Sequence, residues 1–348
     1  MLRIRLLLAV TFVAVALLSI VLPLPDKRGE YLLAPAEAQG TTLTIYSGRS
    51  EELIGPVIAQ FERDTGIAVE VRYGDTTALA LTILEEGART PADIFFSQDG
   101  GALGLLAKQD LLAALPPYIL DSVEPRFRSP EGLWVGISGR ARVIAYNTDA
   151  LDETDLPASL FDLLAPEWAG GRLGFAPTNA SFLSHLTAIR VSEGDEAARA
   201  FVSGLLEGGA RQYERNSVAV AAVAAGEIEA ALTNHYYAYR HLAENPDAPV
   251  ANYYFPGDDI GNLINVAGLG ILASSDNKPL AQQFTAYLLS RSAQSYFAQQ
   301  TFEYPLLIGL DADPRLKPLS EIETPVLDLS DLDDLKGTLD LLDELLVR

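Results

Sequence analysis

Along residues 41–50, TTLTIYSGRS, apolar and polar side chains alternate with the period of a half-buried strand. From residue 51 the pattern changes. EELIGPVIAQFERDTG spaces its apolar residues three and four apart and stops at Gly66, the period and punctuation of a helix. The same switch recurs twice: IAVEVRYG predicts a strand and TTALALTILEEG a helix, then PADIFFSQ a strand and GGALGLLAKQDLL a helix. Strands that each lead into a helix imply a parallel sheet covered by helices, with a ligand crevice at the strands' carboxyl ends. The loops at those ends are YSGRS (46–50), YGDTT (73–77) and SQDGG (97–101).

A second α/β unit follows. GLWVGISGRARVIAYNTDAL predicts two extended stretches flanking SGRAR (138–142). RLGFAPTNASFLSHLTAIRV predicts a strand, a polar loop and a helix, and NSVAVAAVAAGEIEAALTNHYYAYRHL a helix, a short strand and a helix start. NLINVAGLGILASS is β-rich, and the chain ends in helices, including the amphipathic SDLDDLKGTLDLLDELL, expected to pack on a lobe. The fold class is therefore α/β, a two-lobe clamp with two crossing hinge strands, and its interlobe cleft is the natural ligand site. The expected boundaries are 39–140 plus 268–310 for the first lobe, 141–267 for the second and 311–348 for a C-terminal helical segment. No internal repeat or low-complexity linker is visible.

At the N-terminus, Arg3 and Arg5 precede a long apolar run, and APAEAQG offers Ala36 and Ala38 as small residues for cleavage. Residues 1–38 are read as an export signal, with an uncleaved membrane anchor as the alternative. The chain has no cysteine, so neither a lipid-modified cysteine nor a disulfide framework is available. A soluble periplasmic protein, acting as a monomer, is the expectation. The formal net charge is −22, and without residues 1–38 it is −23, from 21 basic and 44 acidic residues. Such a surface repels nucleic acid and anionic lipid, and a bound anion would need a local basic pocket. No GxSxG, Walker A, dinucleotide fingerprint or cysteine nucleophile is present, so an enzyme is not expected. His185, His235 and His241 have no metal-site spacing, and His235 is expected to point away from its tyrosine neighbours.

Taken in order, LTIYSGRSEELIGPVIAQFERDTGIAVEVRYGDT, PADIFFSQDGGALGLL, GISGRARVIAYNTDAL, APTNASFLSHLTAI, NSVAVAAVAAGEIEAALTNHYYAYR and YPLLIGL resemble the periplasmic ferric-iron-binding proteins that feed ABC importers. The most specific motif is Asn234-His235-Tyr236-Tyr237, and the resemblance implies that Tyr236 and Tyr237 are iron ligands. It implies a periplasmic-binding-protein clamp, Fe(III) as the bound ion and a membrane permease as partner. Other ligand positions of the family are not matched: Ser50, Gln98 and Phe182 stand where some members have histidine, glutamate and tyrosine.

The chemistry closes with what remains. Fe(III) is a hard cation that prefers oxygen donors, and a bound metal can strip a phenol of its proton at neutral pH. Two phenolates leave an octahedral site short of about four donors and about one negative charge, which carbonate, bicarbonate or phosphate could supply. Arg49 in YSGRS and Arg140 in SGRAR are placed to hold such an oxyanion by a two-point fork. Tyr46 is the first candidate for a third phenolate and Tyr73 the second. Gln98, Asp99, Asn216 and Asn234 are candidate hydrogen-bond partners that hold the ligands in place, with Asp99 equally suited to cap the following helix. Tyr253 and Tyr254 are expected to pack, and Glu227 and Glu229 to be solvated. The alternative is the same clamp around another small anionic or organic solute, such as a phosphate ester or a polyamine.

Overall fold

In the computed structural model, which describes residues 42–346, the chain enters on β1 (Thr42–Ser47) and turns through α1 (Glu51–Thr65) into β2 (Ala68–Tyr73). It continues through α2 (Thr76–Glu86), β3 (Ile94–Ser97) and α3 (Gly100–Lys108). β1 lies between β2 and β3 and pairs with both in parallel, as three successive strand-helix units require. α1 buries Leu53, Ile54, Val57, Ile58 and Phe61 on one face. It stops where Gly66 takes φ +74°, a left-handed conformation that glycine adopts without strain, and donates its N–H to Glu62. The expected export signal lies outside the described residues.

After the short α4 (Pro117–Leu120), the chain forms β4 (Val135–Asn147), one continuous strand. The sequence pattern had suggested two extended stretches around SGRAR. The structure runs straight through it, with only a register shift between Gly136 and Ser138, and every residue of β4 is buried. A strand buried on both faces loses the alternation by which an uninterrupted strand is recognised. Residues 135–141 pair with β9 (Ile264–Ile271), and β9 also pairs with β3, so this half of β4 completes the first sheet. Residues 142–147 exchange these partners for β7 (Ala230–Asn234) and β8 (Val250–Tyr253) and belong to the second. β4 and β9 are thus the two strands that cross between the lobes.

The second sheet is extended in parallel by β5 (Leu173–Phe175) and β6 (Arg211–Gln212). It is covered by α5 (Ala180–Glu193), α6 (Asp195–Glu207), α7 (Asn216–Ala224) and α8 (His235–Glu244). Val220, Val223 and Ile228 pack with Ala145 of β4 and Val250 of β8 in its core. The chain returns to the first lobe through β9, α9 (Lys278–Leu288), α10 (Arg291–Gln300) and the short β10 (Tyr304–Pro305), which pairs with β4. There Phe61 of α1 meets Phe284 and Tyr287 edge-on at 5.0 and 5.2 Å. The first crossing half of β4 is therefore enclosed by β9 and β10, which fixes the direction of its side chains.

The C-terminal segment is less helical than its sequence pattern suggests. Regular helix is confined to α11 (Leu335–Leu346), preceded by single turns at residues 319–321 and 329–331. Residues 329–332 lie on α3 where Gly100, Gly101 and Gly104 leave a groove, and Ser330 accepts a hydrogen bond from the Trp134 indole at 3.2 Å. Three residues further on, α11 packs against α5 and α6 of the other lobe, where Thr338 meets Thr187 at 2.7 Å. A methyl group at Gly101 would collide with the Leu332 carbonyl. Gly101→Ala is expected to lower unfolding stability by about 1–3 kcal/mol, read from urea denaturation; an unchanged midpoint would show that this contact yields freely.

Candidate ligand site between the lobes

Tyr236 and Tyr237 occupy the first turn of α8, directly after β7 ends at the loop edge of the second sheet. Their rings lie 4.3 Å apart between centroids, and Tyr236 is fully buried. The helix N-terminus places partial positive charge beside them, which favours phenolate. Asn234, the residue before α8, does not cap it. Its side chain accepts from Arg142 at 3.1 Å and donates to the Ser181 hydroxyl at 2.9 Å. Asn216 opens α7 and donates to Asn179, the cap of α5, at 3.0 Å. The N-terminal ends of α5, α7 and α8 are thereby held together around the tyrosine pair.

His235 faces the other way. Its Nδ1 accepts the Ala141 N–H of β4 at 3.1 Å, its Nε2 donates to the Phe302 carbonyl at 2.8 Å, and its ring stacks on Tyr304. The imidazole therefore ties the start of α8 to the crossing strand. Asn265 of β9 does a related task by accepting from the Gly100 N–H of α3 at 3.1 Å and donating to Ser184 of α5 at 2.6 Å.

Arg49, Arg140 and Arg142 converge on the tyrosines and are all buried. Arg49 donates to Gln98 at 2.6 Å and to Glu303 at 2.7 Å. Burial opposes its charge, but Glu303 and then the two tyrosines outweigh that and raise its pKa. Arg140 has no such partner. Burial, with the neighbouring Arg49 adding to it, holds its pKa below the ordinary arginine value despite the nearby Tyr236, Asp99 and Glu303. Arg142 is pushed down to about 9 by burial and by Arg140. Both Nη atoms of Arg140, Nε and Nη2 of Arg142, Nε of Arg49 and the Tyr236 hydroxyl are buried without any hydrogen-bond acceptor or donor in proper geometry. A buried, unpaired guanidinium is costly, and Arg140 and Arg142 both leave such donors in the neighbourhood of Tyr236.

Tyr237, whose hydroxyl lies near Asn216, is pushed well above the usual phenol value, first by burial and then by Tyr236. Both effects disfavour its ionisation. Burial likewise raises the Asp99 carboxyl, against the pull of the Ala102 N–H that it caps and of Arg140.

The structure brings Arg49, Arg140, Gln98, Asn216 and Asn234 into one connected group with the tyrosine pair, while Asp99 caps α3 beside Arg140. Tyr46 is not brought there. Its hydroxyl donates to Glu86 at 3.3 Å and Arg72 lies over its ring, because alternation along β1 turns it opposite to Ser47, whose hydroxyl meets the Arg49 backbone. Tyr73, at the end of β2, is over a third exposed beside Glu51. Ser50 is exposed at the start of α1, and Phe182 packs on Phe175. Tyr253 donates to the Pro157 carbonyl and Tyr254 meets Tyr304, so that pair is structural; Glu229 pairs with Arg172. Sequence reasoning missed Arg142, which a strand reading of SGRAR would have put on the same face as Arg140. It also missed Glu303, for which the sequence carries no signal. Among the described residues no group of three or more His, Asp or Glu could hold a metal.

Two lobes on crossing strands around a polar, buried site have the form of a solute-binding protein. Residues 89–331 match the family described as Bacterial extracellular solute-binding protein, and the chain belongs to it. It is 36% identical over 287 residues to the Major ferric iron-binding protein of Neisseria meningitidis, covering 81% of this chain and 86% of that one. It is 31% identical over 306 residues to the Fe(3+)-binding periplasmic protein of Serratia marcescens, covering 87% and 90%. The solved structure of iron-bound HitA from Pseudomonas aeruginosa superposes with a TM-score of 0.83 at 39% identity, covering 88% of this chain and 99% of that one.

His185 and His235 are buried and their pKa values are pushed down to about 3, chiefly by burial. An unfolded chain would take up protons on both near pH 6.5 while the folded one does not. Stability is therefore retained above about pH 6.5 and lost as the pH falls towards about 3, by roughly 2–3 kcal/mol per histidine at pH 4.5. His185→Gln, which keeps a donor for the Ile260 carbonyl, should flatten this loss in denaturation curves between those limits; an unchanged slope would place its proton uptake elsewhere.

Proposed function

We propose that this chain is a periplasmic carrier that closes over one ferric ion, binds it through Tyr236 and Tyr237 as phenolates, and delivers it to an ABC permease. The observation that carries the reading is the tyrosine pair, Tyr236 buried and Tyr237 partly so, near three arginines whose unpaired donors have no protein acceptor. The names of the relatives point to the same cargo. Carbonate or bicarbonate fits as the accompanying anion: it supplies oxygen donors to the metal on one side and acceptors to Arg140 and Arg142 on the other. Residues 1–38 serve as the export signal, and the carrier works as a monomer.

The order of events follows from charge. Without an anion the arginines repel a trivalent cation, and without a cation the phenols keep their protons. Each ligand therefore lowers the cost of the other, which is synergy by mutual neutralisation. Asn216 and Asn234 hold the phenol-bearing turn in place, and Gln98 orients Arg49. Release to the permease then requires the lobes to part along β4 and β9.

A polyamine is disfavoured by the three buried guanidinium groups. A phosphate ester would use the arginines but leave the phenols without a task. Titration with ferric iron in bicarbonate should give a visible phenolate-to-iron band, and Tyr236→Phe or Tyr237→Phe should each weaken ferric binding by on the order of a hundredfold or more and diminish the band. Full binding of a phosphate ester by both variants, with no band in the parent protein, would replace iron by an organic anion.

A further inference from the structure

Glu303 is the one carboxylate in direct ionic contact with the arginine cluster among the described residues. It is completely buried. Oε2 accepts from Arg49 at 2.7 Å and from the Thr301 hydroxyl at 2.9 Å, and Oε1 accepts from Ser138 of β4 at 3.0 Å. Its backbone is placed with equal care: Phe302, just before it, takes φ +56°, and the Glu303 N–H donates to Phe297 at 3.0 Å. Three side-chain donors, from Arg49, Thr301 and Ser138, thus converge on this one carboxylate.

Its effect reaches beyond Arg49. Arg140 also feels the Glu303 charge, and Arg140 carries the unpaired Nη atoms. Three guanidinium groups leave a positive surplus over the Glu303 and Asp99 carboxylates, Asp99 being engaged as the cap of α3. We propose that Glu303 sets the charge of the anion that the site accepts, holding the surplus at a level that suits a dianion such as carbonate and not an anion of higher charge. This rests on the reading of the arginines as the seat of an oxyanion. A purely structural Glu303 would anchor Arg49 without discriminating between anions of one shape.

Charge can be separated from shape with two tetrahedral probes, sulfate and perchlorate, titrated by calorimetry into the metal-free protein. Removing one negative charge from the interior should favour the dianion over the monoanion by on the order of tenfold. Glu303→Gln is therefore expected to raise the sulfate-to-perchlorate affinity ratio by about that factor, whereas Glu303→Asp, which keeps the charge, should hold it within about twofold of the parent. If Glu303→Gln does not fold, Glu303→Asn removes the same charge with a shorter side chain and carries the same expected rise in the ratio. A ratio that stays constant in the charge-removing variant, or one that shifts as strongly in Glu303→Asp, would overturn the proposal. Failure of the parent protein to bind either anion would overturn the oxyanion seat itself, a result independent of whether ferric iron gives a band.

Discussion

Arg140 and Arg142 lie buried in an acidic protein, and neither makes an ion pair with any described residue. Charges in such places are retained only when something offsets the loss of water, and here the fold offers partial compensation: Asn234 for Arg142, and the diffuse influence of Tyr236, Asp99 and Glu303 for Arg140. The rest of the site follows from that deficit. In the proposed function, a cleft that is positive before loading attracts an anion, the anion makes a cation tolerable, and the cation makes two phenolates possible. No one of the three would be stable there alone, so the site responds to the combination.

The scaffold turns this local electrostatics into a movement of two lobes. β4 carries Ser138 and Arg140 in its first half and Arg142 in its second, so the arginine pair straddles the point where the strand changes sheets. His235 binds the backbone at Ala141, one residue from that point, and is held neutral by burial, so it acts as a fixed peg and not as a charge. Arg240 of α8 pairs with Glu52 of α1. At the surface such a pair contributes little stability, but it joins elements of opposite lobes. In the proposed function, loading the site would thereby be coupled to β4, one of the two strands along which the lobes part.

Much of the fold was legible in the sequence because its first three strand-helix units keep clean periods and end in recognisable signals, such as Gly66 after α1. Tyr236 and Tyr237 stood out for the company they keep in NHYY, and Arg49 and Arg140 because cations in loops and strands of an acidic chain invite an explanation. Less legible was β4, whose burial on both faces erased its alternation and with it the pairing of Arg140 with Arg142. Tyr46 misled because adjacency to Arg49 along the chain does not survive the pleat of a strand. Glu303 lies 254 residues from Arg49 and reaches it only through the return of the chain to the first lobe. Long-range pairing of that kind leaves no local trace.

The central claim is that iron is held by two phenol oxygens and an arginine-bound anion. It is tested most directly by anomalous X-ray scattering at the iron edge from crystals of the protein loaded with ferric iron in bicarbonate. One iron peak within bonding distance of the Tyr236 and Tyr237 hydroxyl oxygens, with an oxyanion between it and Arg140 or Arg142, is the expected result. An iron peak elsewhere, or none in this cleft, would contradict it.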